Sequence, residues 1–263
     1  GGAFALDYAY DRQDRDGKTL KEELERIGYL GELPVGNRPY AATFEVHIEQ
    51  GPILEAEDYP VGIVTGVQGI RWYDLVIKGK ETHAGPSPMS FRDDPVRKAI
   101  PLLNRIYQLA EDFAPDARVT IGYLDATPGV KNTVPGQLTV SLDLRHPAAD
   151  TLQEMDAQLR AIAAGYDLKD IWHSPPVAFA ESCIAAVSRS VEKLGIRARR
   201  IVSGAGHDAV YVARVAPTSM IFIPCKDGLS HNEAESAQPS HLTAGADVLL
   251  HAVLETAKIV RHD

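Results

Sequence analysis

The chain is short of cysteine, of positive charge and of long apolar runs, and each shortage removes a class of function. Two cysteines in 263 residues, Cys183 and Cys225, are too few for a disulfide framework, so a reducing cytoplasm is the simplest expected location. Lys and Arg number 27 against 36 Asp and Glu, giving a net charge of -9 and a pI of about 5.5. Such an acidic balance argues against nucleic acid or an anionic membrane surface as a partner. No apolar stretch approaches the roughly 20 residues needed to cross a bilayer. A basic segment followed by an apolar one is also lacking, so no secretory leader is expected. Internal repeats and low-complexity tracts are missing too. The opening Gly1-Gly2-Ala3-Phe4 has no initiator Met, which fits processing, a tag remnant or a fragment alike.

What is present is ordinary globular material, 44% hydrophobic and 24% charged, enough for one or two domains. Residues 40–49 alternate: Phe44, Val46 and Ile48 face one way, and Glu45, His47 and Glu49 the other, until Gly51-Pro52 breaks the strand. From Ile70 to Phe179 the pattern reads β-α-β-β-α-β, the ferredoxin-like unit. Its strands are expected at 71–79, 118–125 and 137–145. A first helix begins at Asp94-Pro95, with Ile100, Leu103, Tyr107 and Ala110 on one stripe. Pro101 should kink that helix or delay its start. A second helix is capped by Asp150 with Gln153 at the capping-box position, and carries Leu152, Met155, Leu159 and Ile162.

After Phe179 the rhythm becomes helix and strand in alternation. A helix ends at Gly195, strands follow at 198–202 and 219–224, and a last helix starts near Ser240. The fold class is therefore α/β: a split α/β domain at 1–69 and 181–263, interrupted by a ferredoxin-like insert at 70–180.

Two segments place an imidazole where a strand meets a loop, His47-Ile48-Glu49-Gln50-Gly51-Pro52 and Gly228-Leu229-Ser230-His231-Asn232. His47 and His231 are the metal candidates, since imidazole is the commonest protein ligand for zinc-type ions. Two imidazoles are too few for such a site, which needs three or four ligands, and two unrelated polar histidines would look the same. His83, in Thr82-His83-Ala84-Gly85-Pro86, can steady an oxyanion or simply cap a loop. Arg145 is a natural clamp for a carboxylate, and Asn132 offers both donor and acceptor. Equally, Asn132 is a turn residue and Arg145 a surface partner of Asp143. Ser203-Gly204-Ala205-Gly206-His207-Asp208 can offer backbone N–H groups to an anion, but its glycine spacing is not that of a dinucleotide site.

Taken together, these segments resemble the amidohydrolases that cleave N-carbamoyl-L-amino acids, β-ureidopropionate or allantoate, within the dinuclear-zinc aminoacylase/carboxypeptidase clan. The matching pieces are HIEQGP at 47–52, GKETHAGPSPM at 79–89, PGVKNTVPG at 128–136, LDLRHP at 142–147, SGAGHDA at 203–209 and IPCKDGLSHNEAE at 223–235. They follow the family's order along nearly the whole chain.

The resemblance implies a metal-binding α/β domain split by a lid, a homodimer joined through that lid, and two divalent ions, zinc or manganese. It makes His47 a ligand of one metal and His231 of the other. It sends His83, Asn132 and Arg145 into the partner subunit's site, His83 to the oxyanion and Arg145 to the substrate carboxylate. Gln50 and the Gly206-His207 turn would line the pocket. The implied substrate is an N-carbamoyl amino acid, with allantoate as the alternative; a non-catalytic dimerisation or amino-acid-binding module is the rival of another class. The family also draws a first metal histidine, a bridging aspartate and a Glu-Glu pair from a segment ahead of the region that Gly1-Gly2-Ala3-Phe4 resembles. No His-x-Asp stands in for them, and Glu22-Glu23 belong to a solvated helix-like stretch. The expectation is a chain that lacks the general base and several ligands, has an incomplete metal site, and is inactive alone.

Overall fold

A computed structural model describes residues 1–36 and 38–257. Two short helices, α1 (Leu6–Tyr10) and α2 (Leu20–Arg26), precede strand β1 (Thr43–Ile48), one-turn helix α3 (Ile53–Ala56) and β2 (Val61–Val67). Next come β3 (Gly69–Lys78), β4 (Thr82–His83), α4 (Pro95–Asp112), β5 (Arg118–Thr127), β6 (Thr133–Val134), β7 (Gln137–His146), α5 (Ala149–Ile162) and β8 (Asp167–Ser174). The chain continues with β9 (Val177–Ala178), α6 (Glu181–Leu194), β10 (Ala198–Ser203), α7 (Asp208–Val212), β11 (Thr218–Ile223) and α8 (Pro239–Thr256). Glu22 and Glu23 sit in the exposed helix α2, where Glu22 completes a capping box with Thr19.

The chain divides into two compact units, Gly1–Thr65 with the chain from Phe179 onward, and Gly66–Ala178. In the Gly66–Ala178 unit the four long strands lie in the order β5-β7-β3-β8, every neighbouring pair antiparallel. Counted along the chain, that is second-third-first-fourth, the order of a ferredoxin-like sheet. Strict alternation explains why one face is covered: Leu138, Val140, Leu142 and Leu144 of β7 point with Tyr73, Leu75 and Ile77 of β3 into a core closed by α4 and α5.

The sequence misplaced two details of this unit. Helix α4 begins at Pro95 under an Asp94 cap and runs on through Pro101, and it buries Ala99, Leu102, Ile106 and Leu109. Ile100 and Tyr107 are exposed instead. Both stripes are apolar at helical spacing and differ by one residue of rotation, so only the sheet decides which is buried. Helix α5 buries its expected stripe, but no side chain caps it. Gln153 accepts a hydrogen bond from Arg71 at 2.6 Å instead.

In the other unit the sheet runs β1-β11-β2-β10. β1 is parallel to β11, with His47 opposite Phe222, and β11 is antiparallel to β2. All six residues of β11 are buried, as expected for a strand covered on both faces. Helices α6 and α8 pack on each other and on β11, and α8 also touches β1. The approach of α8 is close because Gly245 has no side chain: a Cβ there would lie 2.6 Å from Ile223 Cγ2 and 3.3 Å from Val46 Cγ1.

Candidate functional site

Strand β1 ends at Ile48, and the segment that follows is held in a turn by a buried carboxylate. Glu49 accepts hydrogen bonds from the amides of Ile53 at 3.0 Å and Leu54 at 2.8 Å, while its own amide donates to Ile223 O at 2.9 Å. Burial pushes the Glu49 carboxyl up, against the pull of those two amides. Gln50 is thereby held at a φ of 58°, an uncommon conformation for a non-glycine residue that is often stored at functional sites. Its side-chain Nε2 donates to Ser230 Oγ at 2.7 Å.

That bond joins the two histidine-bearing segments, and the backbone reinforces it. Gly228 has a φ of 64°, and a Cβ on it would meet Gly51 C and Pro52 N at 2.9 Å, so the 225–231 loop lies directly against the 47–52 turn. Asp227 N donates to Glu55 Oε2 at 2.7 Å in the same contact.

The donors that can hold a metal lie on the polar side of β1. Glu45, His47 and His207 each offer one ligand atom, all within 4.8 Å of one another. Glu45 and His47 are two residues apart on one strand face, and His207 occupies the N-cap position of α7 without a side-chain cap bond. The rings of His47 and His207 meet edge to face at 4.7 Å, and Phe222 lies behind both. Burial, and then the charge of His47, push His207 down to about 4, with Asp208 opposing; its imidazole is neutral near pH 7. Two imidazoles and a carboxylate fit a zinc- or manganese-type ion.

Ser203 and Ala205 occupy the Gly-rich turn. The Ala205 amide is spent on Ser203 Oγ at 3.1 Å, and the helix it leads into has only five residues. His231 stands exposed at a φ of 55°, its amide 3.3 Å from Glu235 Oε2. It is not among the clustered donors. Sequence reasoning placed Glu45 on the right face but did not name it as a ligand, and placed His207 in the pocket. Alternation along β1 was the signal for Glu45 and the Gly-rich 203–209 segment that for His207; no local pattern brings His207 to His47.

The Gly66–Ala178 unit carries the remaining candidates. Strands β4 and β6 pair, with His83 opposite Thr133, and Ala84 N donates to Asn132 O at 2.9 Å. This brings His83 and Asn132 together. His83 Nδ1 accepts from Gly85 N at 3.1 Å, so in the neutral ring the proton sits on Nε2, and His83 presents an N–H donor. On β7, Arg145 bonds Asp143 through Nε at 2.9 Å and Nη2 at 2.6 Å, and Trp72 Nε1 donates to the same carboxylate at 2.9 Å. The guanidinium is thus fixed in orientation.

Comparison with known proteins agrees with this set of segments. Residues 18–255 match peptidase family M20/M25/M40. An N-carbamoyl-L-amino-acid amidohydrolase of Rhizobium meliloti is 42% identical over 98% of this chain and 64% of its own length. An allantoate amidohydrolase of Escherichia coli K12 is 32% identical over 90% of this chain and 60% of its own. Among solved structures, an amidase of the hydantoinase/carbamoylase family from Burkholderia multivorans superposes with a TM-score of 0.91 at 49% identity, covering 97% of this chain and 64% of that one. The chain therefore spans under two thirds of the length of these relatives.

Proposed function

The chain belongs to peptidase family M20/M25/M40, and on that premise we propose that it carries part of an amidohydrolase that cleaves the carbamoyl C–N bond of N-carbamoyl-L-amino acids. The observation that carries the reading is the joining of the 47–52 turn to the 225–231 loop beside the Glu45, His47 and His207 donors. A substrate site needs that convergence, and a pair of unrelated surface histidines does not.

His47 and His231 would hold divalent ions, one each, and two such ions, zinc or manganese, would supply polarisation of the scissile carbonyl and activation of water near neutral pH in the complete enzyme. Gln50, Gly206 and His207 line the substrate pocket. In the homodimer His83, Asn132 and Arg145 reach into the partner subunit's site. There His83, through its Nε2–H, donates to the developing oxyanion; removing one such donor typically costs about a hundredfold or more in kcat. Arg145, oriented by Asp143, takes the substrate carboxylate bound in that site, and Asn132 supplies donor and acceptor to the same ligand. Water adds to the carbamoyl carbon, the bond to the amino-acid nitrogen breaks, and the carbamate released decomposes to carbon dioxide and ammonia. The unit at 66–178 joins two copies as a homodimer, and the protein works in the cytoplasm.

A second reading, allantoate hydrolysis, is favoured by the Escherichia coli relative and uses the same residues. Ammonia release from N-carbamoyl-L-amino acids and from allantoate separates the two. The assay uses the product of the complete reading frame, stripped with chelator and reloaded with Zn2+ or Mn2+. Turnover of N-carbamoyl amino acids well above allantoate is expected; the reverse preference selects the second reading. No turnover of either by the reloaded protein leaves a non-catalytic binding module.

A further inference from the structure

The loop at 84–91, which follows His83, has few means of holding itself. Pro86 and Pro88 have no N–H to donate, and Gly85 has no side chain to limit its torsions. A single guanidinium closes it. After a short turn over Met89–Phe91, the half-buried Arg92 donates through Nε to Ser87 O at 3.0 Å and through Nη2 to Ala84 O. Both donors lie on one edge of a rigid planar group, so the two carbonyls are held in a fixed relation.

Ala84 O belongs to the same peptide unit as Gly85 N–H. That unit is planar and trans, so its oxygen and its hydrogen point in opposite directions. Holding the oxygen therefore aims the hydrogen, and this hydrogen is the one that Gly85 gives to His83 Nδ1 at 3.1 Å. The peptide before it is fixed separately, because Ala84 N donates to Asn132 O at 2.9 Å. The cation at Ala84 O also polarises the unit and strengthens its N–H as a donor.

We propose that Arg92 is a positioning residue for His83. By gripping Ala84 O it aims the Gly85 amide at His83 Nδ1, and so holds the ring in the orientation and tautomer that offer Nε2–H. This rests on the reading above that His83 donates to the oxyanion, and it adds the group that decides how well His83 does so. Arg92 acts through one peptide plane on one imidazole.

Ammonia release by the metal-loaded product of the complete reading frame is measured for His83→Gln, Arg92→Ala and the double variant. His83→Gln should lower kcat about a hundredfold or more. Arg92→Ala should lower kcat about tenfold or more with KM within about twofold, since a misplaced group slows chemistry without weakening binding. In the double variant the Arg92 loss should vanish, leaving kcat within about twofold of His83→Gln, as expected for residues that act as one unit. Arg105→Ala, which removes an exposed cation from α4, should leave kcat unchanged. Losses that add in the double variant mean that Arg92 merely supports the fold, and they overturn the proposal.

A second measurement needs no turnover. In the isotope-labelled 263-residue chain, a coupling between Gly85 N and His83 Nδ1 across their hydrogen bond is expected, and it should be lost in Arg92→Ala. Arg92→Lys keeps the charge but not the fork, and should weaken the coupling. A coupling missing from the unaltered chain, or persisting in Arg92→Ala, overturns the proposal even when the complete protein releases ammonia. Its loss in Arg92→Ala supports the hold of Arg92 on His83 even when the complete protein turns over nothing, so this inference fails separately from the amidohydrolase reading.

Discussion

His207 is a buried base whose protonation the fold opposes, because burial and His47 hold it down to about 4. Its unfolded value is about 6.5. Protons therefore bind the unfolded chain first, and the stability this residue permits is complete above that value and declines as pH falls toward about 4. Denaturant midpoints of the metal-stripped chain, measured from neutral pH downward, should show this decline, and His207→Gln should remove part of it. A difference between the two chains that stays constant with pH speaks against the assignment. His47, His83, Gln50, Asn132 and Arg145 were nameable as candidates because each sits in a short motif, but their residue types alone left bland alternatives open, and only the resemblance of the motifs to a known family implied a role for each. Glu45 was half legible, through its alternation with His47. Ser203 and His207 as neighbours of His47 were not, since Ser203 lies 156 positions after His47, and only the pairing of β1 with β11 and the packing of α7 close that gap.

Among the elements, strand β3 and helix α5 are tied by a buried polar network. Asp156 is almost fully buried and accepts from Tyr73 Oη at 2.6 Å and Arg160 Nε at 3.0 Å, with Arg71 Nη1 at 3.1 Å. Burial alone would push the Asp156 carboxyl up; the hydrogen bonds from Tyr73 and Arg160 and the two guanidinium charges outweigh it and hold the carboxyl below its usual range. Asp156→Ala leaves the Tyr73 phenol without its acceptor and takes one partner each from Arg71 and Arg160, which keep Gln153 and Asp170, and should cost about 1–3 kcal/mol. Urea unfolding followed by tryptophan fluorescence isolates the effect, because the two tryptophans, Trp72 and Trp172, both lie in this unit, with ring centroids 4.9 Å apart. An unchanged midpoint would mean the network is dispensable. The strands of this unit were readable because one face is polar and the period is two. The buried stripe of α4 was not, because two adjacent stripes are apolar and helical periodicity does not choose between them.

For the whole molecule, the proposed homodimer is the property most open to test. In the Gly66–Ala178 unit β5 is an edge strand, and it displays Tyr123 and Leu124, the latter 57% exposed. An exposed apolar edge strand invites pairing with another chain. Sedimentation velocity should show a dimer, and Leu124→Glu should shift it toward monomer while leaving the tryptophan-monitored unfolding within about 0.5 kcal/mol of the unaltered chain, as for most surface substitutions. A monomer at tens of micromolar before any substitution removes the dimer from the proposed function.

By itself the sequence determined the α/β class, the βαββαβ unit lying inside a split domain, and the residues carrying recognisable chemistry. Those follow from local periodicity, turn chemistry and short motifs, which act over a few residues. Which donors meet, which nitrogen each imidazole offers and which face of α4 is buried were decided only by the tertiary structure. Each depends on atoms brought together from distant parts of the chain, and on protons assigned by partners that no local pattern names.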